Sequence, residues 1–152
     1  MPLYTSFGVI YIIAGIHFQN CWFLTAEKCW FYSTAYKDLG LKDIPKLNIS
    51  EYGDAYGCYD PKDNTITLNS QFLSDPVELV NTIAHETRHA YQFMRADKLE
   101  TREDALFKVG NDNYISPIPL SSGGWLNYTD YYNQYVEVDA RVFANKCMEA
   151  IV

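Results

Sequence analysis

Three side chains in AHETRHAYQ, residues 84–92, have the types and spacing to do chemistry: His85, Glu86 and His89. On a helix, positions four apart differ by about 40° around the axis and about 6 Å along it. His85 and His89 therefore project from one face, close enough for their imidazoles to bind one zinc ion. Glu86 is turned about 100° from His85. That is poor placement for a third ligand but within reach of a water on the metal. His-Glu-x-x-His on a helix thus supplies two ligands and a general base. The competing reading is the solvated face of an ordinary helix, since composition alone produces the pattern in roughly one chain of this size in a few hundred. Two features favour the metal. The chain has only 3 histidines, His17, His85 and His89, and the pair lies in a segment with clear helix-start signals.

A catalytic zinc site needs a third protein ligand and leaves a position for water. His17 lies in an apolar run, where a lone histidine is ordinarily a satisfied core residue, and no cysteine is suggestively placed. The acids of YVEVDARVFA, residues 135–144, are better candidates. Glu137 adjoins Val136 at the edge of that helix's apolar stripe, where a carboxylate has a purpose if it faces a metal between two helices. Asp139 is about 200° around the helix from Glu137, so one metal would not use both; Glu137 is preferred and Asp139 is next in line. A plain salt bridge from Glu137 to Arg141, one turn on, is the alternative. Gln92 falls near the His85 face, either orienting a ligand from behind or simply solvated. Tyr128, Tyr131, Tyr132 and Tyr135 crowd the approach to Glu137, as oxyanion donors or as packing.

These residues need elements to hold them. Asp75 as N-cap, Pro76 at the first helical position and Glu78 at the capping-box position predict a helix to about Asp97. Val77, Val80, Ala84, Thr87, Tyr91 and Met94 form its expected apolar face. A last helix is expected over about 133–150, burying Val136, Ala140, Phe143, Cys147 and Ile151. KLNISEY, residues 46–52, alternates as a half-buried strand does. AYGCY (55–59) and TITLN (65–69) flank DPKDN (60–64), the composition of a hairpin connection. Residues 20–38 read as a helix with Trp22, Ala26, Cys29, Ser33 and Tyr36 on one face, stopped by Gly40. Residues 98–116 carry no clear pattern, and PIPLSSGGW, 117–125, is a loop by composition.

A chain of 152 residues predicts a single domain able to bury a core. Its formal net charge is −7 and no Lys/Arg run exceeds one residue, which argues against a nucleic-acid partner. Cys21, Cys29, Cys58 and Cys147 form no CxxC pair; free buried thiols in a reducing compartment, hence a cytoplasmic location, are expected. Residues 1–26 lack any Asp, Glu, Lys or Arg. Their core, FGVIYIIAGIHF at 7–18, is short of the roughly 20 apolar residues of a membrane span and lacks the basic flank of a signal peptide. Residues 1–24 are read as a buried or partner-covered segment, with membrane association through 7–24 as the alternative.

HETRH followed by EVDARVFA resembles the zincin metallopeptidases with a glutamate third ligand, in particular the small ImmA/IrrE-type peptidases of bacterial or phage association. In that pattern a ligand glutamate precedes a small residue and Phe-Ala on a second helix. Glu137 takes the ligand position; Ala140, Phe143 and Ala144 match the packing positions, and Arg141 replaces the Asn often found there. The resemblance covers about residues 55–97 and 128–150. It implies an α+β, zincin-like domain with a small sheet, a zinc cofactor, Glu86 as general base, and a peptide or protein substrate. It also implies an edge strand that pairs with the substrate, for which TITLN at 65–69 is in the right place. The alternative is a non-catalytic, zinc-stabilised interaction module.

Overall fold

A computed structural model describes residues 36–37, 39–51 and 53–149. The apolar stretch 1–24, His17, Cys21, Cys29, Ile151 and most of the 20–38 helix lie outside the described residues. The end of that helix is visible. Tyr36, Lys37 and Leu39 are helical, and Gly40 sits at φ 64°. Leu41 N–H donates to Tyr36 O at 3.1 Å and Gly40 N–H to Lys37 O at 3.0 Å. That pair of bonds is the left-handed glycine stop, as the sequence predicts.

Among the described residues the fold is α+β, with a three-stranded mixed sheet and four complete α-helices beyond that helix end. The strands are β1 (Lys46–Ser50), β2 (Gly57–Asp60) and β3 (Thr65–Asn69), and the helices α1 (Pro76–Lys98), α2 (Arg102–Asp112), α3 (Tyr128–Tyr132) and α4 (Tyr135–Glu149). The sheet order is β1-β3-β2. β1 runs parallel to β3, Leu47 opposite Ile66, and β2 runs antiparallel to it, Tyr59 opposite Ile66. The β2–β3 hairpin forms as expected. Asp60 accepts from Lys62 N–H at 2.9 Å, and Asn64 takes the left-handed conformation at φ 48°. One expectation fails: TITLN is the central strand, paired on both sides, so it presents no edge. The edge beside α1 belongs to β2.

α1 begins where Asp75 and Pro76 predict. The Asp75 carboxylate accepts from Val77 N–H (2.9 Å) and Glu78 N–H (3.2 Å), filling donors that a helix start leaves bare. Its buried surface differs from the single expected stripe. Val77 is 58% exposed, while Leu79, Ile83, Ala84, Ala90 and Ala96 are buried. The helix is gripped from more than one direction. Leu79 and Ile83 pack on Ile66 and Leu68 of β3, Ala84 meets Ala144 of α4, and Ala96 meets Phe107 and Val136. Each large apolar side chain buried here contributes about 1.5–3 kcal/mol.

Residues 98–116 contain a helix that hydrophobic period alone does not reveal. Thr101 accepts from Asp104 N–H (3.1 Å) and Thr101 N–H donates to Asp104 (3.0 Å), a full capping box. The same Asp104, fully buried, takes two bonds from Arg95 at 2.7 and 2.8 Å, tying the end of α1 to the start of α2. Burial pushes the Asp104 carboxyl up, but Arg95 and the Thr101 and Glu100 amides outweigh it and hold it below the usual range. Among the described residues no helix is long and apolar enough to cross a membrane. Cys58 is free and exposed, which corrects the expectation of buried thiols at that position.

Candidate metal centre

α1 and α4 bring together the three residues that the sequence nominates. His85 and His89 stand one turn apart with ring centroids 4.7 Å apart. Their Nε2 atoms are separated by 3.1 Å. Glu137 enters from α4, with Oε2 3.3 Å from His85 Nε2 and Oε1 3.4 Å from His89 Nε2. A tetrahedral zinc with bonds of about 2.0–2.1 Å to nitrogen and oxygen holds its ligand atoms about 3.3–3.4 Å apart. Each histidine nitrogen has a Glu137 oxygen near that distance, through a different oxygen in each case, and one donor atom from each of the three residues lies within 4.8 Å of the others.

Elementary electrostatics supports the same fit. Glu137 is only 1% exposed, yet its Oε2 is buried without a hydrogen-bond partner. Oε2 meets only the long contacts of His85 Nε2 at 3.3 Å and Arg141 Nη1 at 4.0 Å, and a cation among these groups, a proton or a metal ion, offsets the cost of burying it. Burial raises the Glu137 carboxyl, but the two imidazoles override this and hold it well below the carboxylate range. Burial lowers His89, and the Glu137 hydrogen bond with the charges of Glu86 and Glu137 overrides that, raising it to about 9. The cluster therefore holds positive charge in its centre: protons when metal-free, a cation when loaded. Among the described residues it is the one group of three or more His, Cys, Asp and Glu side chains whose donor atoms converge in this way.

Gln92 settles how His89 is held. Its Nε2 donates to Val136 O at 2.9 Å and to Asp139 Oδ2 at 2.8 Å. Both partners only accept, so the amide has one workable orientation. Its Oε1, 2.8 Å from His89 Nδ1, must then accept from that nitrogen. With Nδ1 carrying a proton, His89 turns the Nε2 lone pair to the centre once the second proton leaves. Gln92 is fully buried, so the solvated alternative is excluded.

Asp139 does not join the cluster. Its carboxylate binds Arg88 through Nε (2.7 Å) and Nη2 (3.0 Å). The Arg88 guanidinium lies over Tyr91 at 4.4 Å, near Phe107 and Phe143. Arg141 stacks on Tyr132 at 3.5 Å, bonds the Tyr132 carbonyl, and makes a long i,i+4 ion pair with Glu137 Oε2 at 4.0 Å. Glu137 thus faces both histidines, and the ion pair expected as its alternative is present beside them at the longer distance.

Above the cluster lies a cavity of about 300 Å³. Glu86, 7% exposed, forms part of its wall beside His85 and His89. Gly57, Cys58 and Tyr59 of β2 line it as well. Gly57 is needed there: a Cβ would lie 2.6 Å from Thr82 Cγ2 and 3.4 Å from Glu86 Cγ, so only glycine lets β2 cross α1 this closely. Of the four crowded tyrosines, Tyr131 alone lines the cavity. Tyr128 stacks on Tyr132 at 5.3 Å and Tyr135 packs on Phe107 at 5.7 Å. A fifth tyrosine, missed in the sequence, is closer: Tyr114 donates to Glu137 Oε1 at 2.7 Å. It follows α2, in the stretch without a readable period, and nothing in its spacing singles it out. Burial, and then the Glu137 charge, raise both Tyr114 and Tyr131 far above an ordinary phenol. Both remain protonated donors.

No protein-family model, curated protein or solved structure matches this chain.

Proposed function

We propose that this protein is a zinc-dependent peptidase of the zincin type, with His85, His89 and Glu137 as ligands and Glu86 as general base. The observation that carries this reading is the convergence of the three donor sets on the floor of a cavity whose wall is Glu86. Zinc bound there supplies Lewis acidity and a water with a pKa near 7. Glu86 accepts a proton from water and delivers it to the leaving amine, work worth about 10²- to 10⁴-fold. Tyr131, kept protonated, donates to the oxygen of the attacked carbonyl. Among the described residues the outer edge of β2 has no strand beside it and offers backbone hydrogen bonds to an extended peptide, so the edge role expected of TITLN passes to its neighbour. A non-catalytic zinc module fits less well, because closed structural sites take a fourth protein ligand and the described cluster has three members.

Elemental analysis of the purified chain beside Glu137→Ala and Glu86→Gln tests the reading, together with cleavage of a mixed peptide library. About one zinc per chain is expected, lost in Glu137→Ala and kept in Glu86→Gln. Library cleavage by the parent should drop about 10²-fold or more in Glu86→Gln. Zinc bound with no cleavage by the parent would leave a metal protein that is not a peptidase. Undiminished cleavage by Glu86→Gln would remove Glu86 from its role.

A further inference from the structure

We propose that Tyr114 is a positioning residue that makes Glu137 a one-oxygen ligand, holding Oε1 so that Oε2 alone reaches the metal and a coordination position stays open. This rests on the ligand set of the zincin reading and not on peptide cleavage. The two oxygens of Glu137 differ in what they meet. Oε1 accepts from the Tyr114 hydroxyl at 2.7 Å, in the short range of a hydroxyl on a charged carboxylate. Oε2 is buried with no hydrogen bond and has His85 Nε2 at 3.3 Å. An oxygen that accepts so short a bond has lost donor density and one direction of approach, so the other oxygen is the better ligand. Packing does not account for the phenol. Tyr114 is 41% exposed, so much of it lies outside the core, yet its hydroxyl reaches a carboxylate that is only 1% exposed.

The chain on either side of Tyr114 is fixed to the segment that carries Glu137. Before it, Gly110 packs so tightly on α4 that a Cβ would lie 2.7 Å from Val136 Cγ1, and Asn113 N–H donates to Val109 O at 3.1 Å to close α2. After it, Ile115 N–H donates to Gln134 Oε1 at 2.6 Å and Ile115 O accepts from Gln134 Nε2 at 2.8 Å. Gln134 immediately precedes α4 and Val136 immediately precedes Glu137. One frame therefore sets both the phenol and the carboxylate. The consequence lies in the number of ligand atoms. Two imidazole nitrogens and one carboxylate oxygen leave the fourth corner of a tetrahedron for water or substrate. Glu137 bound through both oxygens would put a further protein atom on the metal and crowd that corner.

The test puts cobalt(II) in place of zinc in the full-length protein, because its visible d–d bands weaken as a four-coordinate site becomes five-coordinate. Tyr114→Phe keeps the ring, removes the hydroxyl and frees Oε1 to join the metal. Its cobalt bands should lose intensity against the wild type at equal metal loading, a change that lost packing alone would not produce. A crystal structure of the zinc-loaded wild-type protein gives a readout that needs no variant: Oε2 on the metal and Oε1 on the Tyr114 hydroxyl. Both oxygens on the metal, Oε1 alone on the metal, or equal cobalt bands in wild type and Tyr114→Phe overturn the assignment and leave the peptidase reading intact. Loss of band intensity in Tyr131→Phe and not in Tyr114→Phe would hand the role to Tyr131 and overturn it as well. Metal bound as described but no peptide cleaved removes the peptidase reading alone. Failure of the wild-type protein to take zinc or cobalt overturns both.

Discussion

Glu137 and Asp139 stand two positions apart on the same helix and meet opposite treatment. Asp139, with an 18% exposed side chain, receives three N–H donors: two from Arg88 and one from Gln92. Glu137, 1% exposed, receives one phenol on Oε1 and has no hydrogen bond on Oε2. Ordinary folding requires the reverse, since the deeper carboxylate needs more partners. A closed carboxylate is scaffold. An open one, facing two imidazole nitrogens at 3.3–3.4 Å, is compatible with a metal ion in a way that the closed one is not.

The largest effect that sharpens this comparison comes from Asp139→Ala. It leaves the Arg88 guanidinium, 13% exposed, among Tyr91, Phe107 and Phe143 with only the long Glu103 contact at 3.9 Å as an ion pair. Losing one partner of such a pair costs about 3 kcal/mol, read as a lower urea midpoint in chelator-treated protein. Glu137→Ala in the same metal-free state should cost less at pH above about 9, where His89 has lost the proton that pairs it with Glu137, and the comparison is made at that pH. If Glu137→Ala proves the more damaging to the metal-free fold, Glu137 is scaffold after all.

Gln92→Leu comes next. It frees the His89 ring from its Nδ1 acceptor and cuts the strut from His89 to Val136 O, the carbonyl beside Glu137. Removing such a supporting partner typically lowers metal affinity about 10- to 100-fold, measurable by chelator competition. Imidazole ¹⁵N shifts of the zinc-loaded protein should show Nδ1 protonated in the parent. Unchanged zinc affinity with only a lower melting temperature would make Gln92 packing alone.

The sequence carried the parts of this site that depend on one helix. His85, Glu86 and His89 are legible because α-helical geometry fixes their relation locally, and Asp75-Pro76 marks where that helix starts. Glu137 was legible by a weaker route, as a carboxylate at the edge of an apolar stripe. What stayed hidden depends on pairs far apart in the chain. Asp139 reads like a ligand until Arg88, 51 residues away, is placed against it. Tyr114 meets Glu137 across 23 residues. The middle-strand position of TITLN is likewise a matter of sheet order, which alternation along one strand does not encode. The α2 start was the exception: Thr101 and Asp104 spelled a capping box locally, and only the lack of a clear apolar period obscured it.

The smallest expected effect is in pH, and it separates the two carboxylates without a mutation. Arg88 is raised further above its already high range: burial opposes, but Asp139 prevails. Its charge is constant at ordinary pH. The Glu137 cluster is not constant. In metal-free protein His89 rises from 6.5 to about 9, so its contribution is full below pH 6.5 and is lost as pH climbs towards 9. Glu137 is depressed from 4.5, so its contribution is full above pH 4.5 and is lost as pH falls below that. The metal-free cluster thus favours folding most between about pH 4.5 and 6.5. Zinc reverses the alkaline side, because it displaces the His89 Nε2 proton and binds more tightly as that proton becomes easier to remove. Melting curves with chelator should fall from pH 6.5 to 9, while curves in excess zinc should hold or rise over the same interval. Parallel curves would mean that zinc does not bind where His89 holds its proton, and the open carboxylate would then have no cation to explain it.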